Sequence, residues 1–132
     1  MFLGKPAFGW VEVVLGDFAG SGSYLTDIPL DCLESMIYAL ENHTDFIVSF
    51  DAEGWSFKMI ADEYRSFIIE EKDEPILYTC EKDIHQLAKE LYENISLYFE
   101  IWGTWSTRFE EDEINAFKND LMEKLEKLET LL

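Results

Sequence analysis

Residues 45–81 read DFIVSFDAEGWSFKMIADEYRSFIIEEKDEPILYTCE, and their reading decides the fold. The stretch resolves into DFIVSF, WSFKMIAD, YRSFIIEE and PILYTCE, punctuated by DAEG, DE and KDE, and each piece has the length of a strand. Phe46, Val48 and Phe50 fall on one face of the first piece, and Trp55, Phe57 and Met59 on one face of the second, which is the period of two that a half-buried strand requires. Gly54 supplies the permissive backbone that a hairpin turn needs. The pattern predicts an antiparallel meander of four strands. The piece around Phe67, Ile68 and Ile69 is apolar on both sides, which predicts a central strand or one lying beneath a helix.

Upstream, FGWVEVVLGDF at 8–18 sets Val11, Val13 and Leu15 against Trp10, Glu12 and Val14, so a further strand is expected there. It runs into GDFAGSGSYL at 16–25, a Gly/Ser run of the kind found in phosphate-binding loops. A Walker-type loop needs a lysine followed by Ser or Thr just after its last glycine, and a dinucleotide loop needs a helix opening at once. Here Gly22 is followed by Ser23 and Tyr24, and Asp17 adds negative charge, so the run is read as a mobile crossover from strand to helix. The helix is TDIPLDCLESMIYALENH, with Asp27 as N-cap, Pro29 in the first turn, and Leu30, Leu33, Ile37 and Leu40 at helical spacing.

Downstream, Asp83 and Gln86 are spaced as a capping box, and Ile84, Leu87, Leu91, Ile95, Tyr98 and Trp102 form one stripe of a second helix. Gly103 and Thr104 interrupt it. Residues 109–131 form a third helix with Ile114, Phe117, Leu121, Leu125 and Leu128 inward and its acids in the first turn, as the helix dipole favours. The expected fold is α+β in the order β-α-β-β-β-β-α-α: about five strands, mostly in an antiparallel meander, with three helices packed on one face. A single domain over 1–132 suits this length.

Twenty-eight acidic and ten basic residues give a net charge of −18, while 48% of the residues are apolar. Such a chain is too hydrophobic for disorder. Its charge argues against nucleic acid and against an anionic membrane as partners, since both are held by lysine and arginine. Only Cys32 and Cys80 are present, and no signal sequence opens the chain, so a cytoplasmic location with reduced thiols is expected. Two cysteines and two histidines, without paired ligand spacing, predict neither a metal nor another cofactor. DAEGWSFKMIADE has its glycine fourth, where a calcium loop has it sixth. Cys80 and His85 straddle a strand end and a helix start with no third group implied, so catalysis is not expected.

The remaining feature is the distribution of carboxylates. Alternate turns of a meander lie at the same end, so DAEG and EEKDEP should gather Asp51, Glu53, Glu70, Glu71, Asp73 and Glu74 beside Trp55. Trp102 and Trp105 are further candidate anchors, because acidic rims beside aromatic side chains suit basic protein partners. The segments SYLTDIP, SFDAEGWSF and FEEDE, within this acidic α+β profile, resemble the immunity proteins of bacterial polymorphic and contact-dependent toxin systems. That resemblance implies an inhibitor that binds a basic toxin domain and blocks its active site. An adaptor or regulatory domain docking through an apolar face is the alternative. A small enzyme would require a deep pocket holding His85 or paired carboxylates.

Overall fold

The computed structural model describes residues 1–105, 108 and 110–132. Phe46–Asp51 (β3), Ser56–Ala61 (β4), Ser66–Glu71 (β5) and Ile76–Cys80 (β6) form the expected meander, a sheet of order β3-β4-β5-β6 with every pair antiparallel. Its register aligns Phe50 with Phe57 and Phe57 with Glu70, and Val48 with Met59 and Met59 with Ile68. These rows form the inner face, where Phe50 and Phe57 stack with ring centroids 5.0 Å apart. The strand around Phe67–Ile69 is interior to the sheet, as its two apolar sides require. Its second side is not under a helix but on the outer face, where Ile47, Ile60 and Phe67 align in one row and Lys58, Ile69 and Leu77 in the next. Ile47 and Leu77 are exposed there.

The Gly/Ser run departs from its expected role as a crossover. Phe18–Ser23 is a strand, β2, paired antiparallel with Trp10–Leu15 (β1) through the turn at Gly16 and Asp17. The described residues therefore form two sheets, of two and four strands, where about five strands were expected, mostly in one meander. The glycines answer a steric need. A Cβ on Gly22 would stand 2.8 Å from the Ile28 side chain and 3.3 Å from the Phe50 ring, so only glycine lets the hairpin close onto helix and sheet here. Phe18 then seals the junction, packing on Phe57 and Tyr78 at 4.9 and 5.3 Å. The first residues run antiparallel beside β1, with Gly4 N–H donating to Glu12 O, Val14 N–H donating to Phe2 O, and Leu3 N–H donating to Asn94 Oδ1.

Among the described residues there are four helices: Ile28–Asn42 (α1), Ile84–Leu97 (α2), the single turn Phe99–Trp102 (α3) and Glu111–Leu131 (α4). The count exceeds expectation because the second helix ends at Leu97 and Trp102 belongs to a separate turn. The expected start of the last helix at residue 109 lies outside the described residues. α1 runs closest to the sheet, against β3, and α2 and α4 pack on α1 and on each other. Asp83 and Gln86 do form the capping box at the start of α2. Asp27 occupies the N-cap position of α1 without a side-chain capping bond, and its carboxylate is held instead by Arg108 at 2.9 Å. The inner faces of both sheets and the inward stripes of the helices share one hydrophobic core.

Candidate functional site

The meander assembles the acidic end from its register. Asp51 lies opposite Ser56, and Ser56 opposite Glu71, so the turns after β3 and β5 stand side by side. In the first turn Glu53 and Gly54 both have positive φ, +54° and +113°. The Asp51 carboxylate steadies this conformation by accepting from Glu53 N–H at 2.7 Å. Glu53, Glu71, Asp73 and Glu74 are exposed, and Asp51 and Trp55 are half-buried.

Glu70 does not join them. It lies on the inner face and is only 7% exposed, with Tyr78 O–H donating to its Oε1 at 3.4 Å and Lys72 3.3 Å from its Oε2. Lys72 also lies over the Trp55 ring, 4.5 Å from its centroid. Lys72, the cation of the second turn, touches a buried carboxylate and an indole face while its side chain stays 46% exposed, and the carboxylates of the two turns still outnumber it. Between the turns lies an open depression lined by Trp55, Ile69 and Pro75 together with Glu71, Asp73 and Lys72. Apolar lining beside carboxylates can hold an aliphatic or aromatic side chain whose neighbours are basic. Trp102 and Trp105 are not part of this end; both are buried in the core, ring against ring at 5.0 Å.

The two histidines meet elsewhere. A cleft of about 470 Å³ is lined by His43, Asp45, Asp62, Glu63, Tyr64 and His85. Sequence spacing gave no signal for this pairing, since the two histidines are 42 positions apart and are brought together by the end of α1 and the start of α2. Asp62 is committed to local structure: its Oδ1 accepts from the amides of Tyr64 and Arg65 at 2.7 and 2.9 Å, bonds that hold its carboxyl below the usual range. Its backbone carbonyl takes the first amide of α2, from Ile84. Among the described residues no group of three or more His, Cys, Asp or Glu side chains is arranged to hold a metal ion. Cys32 is fully buried, and burial pushes its thiol far above the ordinary range, which suits a small core residue.

None of the described helices is long and apolar enough to cross a membrane. Comparison with protein-family models, with curated proteins and with solved structures finds no match.

Proposed function

We propose that this chain is an acidic protein-binding inhibitor of the immunity-protein kind, acting in the cytoplasm by capturing a basic toxin domain and covering its active site. The observation that carries the reading is the acidic end. Asp51 and Glu53 in one turn stand beside Glu71, Asp73 and Glu74 in the next, and Glu71 and Asp73 line the depression that holds Trp55, against a single lysine, Lys72. Such a surface steers a cationic partner into place and offers an apolar seat once it arrives. Glu70 serves as a support for Lys72 and makes no outward contact in this reading. No catalysis is assigned to the chain.

The test is the association rate with a basic toxin-type domain, sought first among the products of the genes that flank the coding region. Replacing Glu71, Asp73 and Glu74 together with lysine should slow association by roughly 10- to 1000-fold at low ionic strength and flatten its salt dependence. The melting temperature should hardly change. Capture at the parent rate would remove this end from the interface. The adaptor reading draws on the outer face of the meander, where Ile47 and Leu77 are exposed; binding that is indifferent to salt would favour it.

A further inference from the structure

Phe8 is the least sheltered large apolar residue among the described residues, 100% exposed, and it has φ of +54°. It sits in a two-residue turn: Ala7 N–H donates to Trp10 O and Trp10 N–H donates to Ala7 O, with Phe8 and Gly9 between them, both at positive φ. A turn with both central residues left-handed selects Asn-Gly, Asp-Gly or Gly-Gly. A bulky aromatic there is a backbone outlier that also gains nothing from burial within this chain. Gly9 is required for a separate reason, since a Cβ there would stand 2.8 Å from the Tyr24 ring.

The surroundings give the residue a context. Trp10, Tyr24 and Leu25 are also exposed, so an aromatic patch surrounds the turn. An open depression of about 420 Å³ lies against one side of Phe8, which helps to line it with Pro6, Tyr24, Ile101, Thr104 and Trp105. The segments that supply these residues, 1–11, 18–26 and 101–109, contain no aspartate or glutamate, in a chain that carries twenty-eight. Glu12, Asp17, Asp27, Glu100 and Glu110 border these segments in sequence; Asp27 is paired with Arg108 and Glu100 with Lys118, while Glu12 is exposed on the same face of β1 as Trp10. A knob and a socket thus lie next to each other on a surface whose own segments hold no carboxylates.

We propose that this surface is a self-association site, where two copies meet about a two-fold axis and each inserts Phe8 into the depression of the other. A two-fold contact requires one patch to be complementary to itself, and an adjacent knob and socket meet that condition. Charge selects the same face. Two bodies of charge −18 repel in most orientations, and a patch built from acid-free segments is where they can approach. The inference is independent of toxin capture and predicts the opposite response to salt, because screening weakens attraction to a basic partner and relieves repulsion between copies.

Sedimentation equilibrium on the full chain tests it. A monomer–dimer equilibrium is expected, with a dissociation constant that falls roughly tenfold between about 0.05 M and about 0.5 M NaCl. Phe8→Asn creates the favoured Asn-Gly turn, so the variant should melt at the same or a higher temperature while its dissociation constant rises about 30-fold or more. Thr104→Trp, which fills the socket, should weaken the dimer as well, and mixing it with Phe8→Asn should restore part of the association through one intact knob and one open socket. A chain that stays monomeric at every salt concentration overturns the proposal, leaving the patch to some other partner. So does a dimer that Phe8→Asn leaves unchanged.

Discussion

Glu70 and Glu71 are adjacent in sequence and opposite in situation. Glu71 stands in the outer row with Ser56 and Asp51, whereas Glu70 lies inside, opposite Phe57, touching Lys72 and Tyr78. Alternation along β5 carried the signal, because Ile68 facing the core places Glu70 on the same side two residues later. The local density of acids obscured it: six carboxylates near two turns read as one cluster. Removing a buried carboxylate also strips the partners it satisfies, so Glu70→Ala should cost about 1–2 kcal/mol of unfolding free energy. Glu71→Ala should stay within about 0.5 kcal/mol. Urea unfolding of both variants checks this, and equal losses would show that the two glutamates share one environment.

At the scale of elements, the features legible in the sequence were those that rest on local periodicity. The four strands of the meander and the Asp83–Gln86 capping box lie where their spacing places them. β2 was not legible, because FAGSGS has the composition of a linker and its partner requirement lies elsewhere in the chain. Gly22 is set by the approach of Ile28 and Phe50, contacts that only tertiary structure creates, and Gly20 by the Phe18 ring two residues earlier. The cleft with both histidines was hidden for the same reason. Gly22→Val would thrust branched carbons into Ile28 and Phe50 and should destabilise the protein by about 1–3 kcal/mol, measured by thermal or denaturant unfolding. A neutral result would mean that the hairpin can move off the sheet without loss.

For the molecule as a whole, pH acts through opposed groups. Burial raises the carboxyls of Asp27, despite Arg108, and of Asp31. Their protonated forms favour the fold, a contribution complete below the unfolded value near ~4 and lost as pH rises through the raised folded values. Glu90 has the opposite sign. Burial alone would raise its carboxyl, but bonding, foremost from Lys82 at 2.8 Å, holds it below the usual range. Its contribution is present above about pH 4.3 and lost as pH falls through the lowered folded value. Self-repulsion of the −18 charge weakens on acidification too. The melting temperature should therefore rise as pH falls through the raised folded values of Asp27 and Asp31 and drop once pH falls through the lowered folded value of Glu90; a thermal-melt series with no maximum on the acid side of neutrality would contradict these assignments. The strand order of the meander, which copies the chain order, also has a kinetic consequence. Each of its hairpins closes a short loop, a step of roughly 1–10 μs, whereas Leu3 must find Asn94 across 91 positions. The sheet should form in the folding transition state and the N-terminal segment should dock after it. Stopped-flow chevrons should then show Ile68→Val slowing refolding and Leu3→Ala chiefly speeding unfolding, and the reverse partition would reject this order of events. On this pathway the lifetime of the native state is set by release of the first few residues, which pair with β1 and not with the meander.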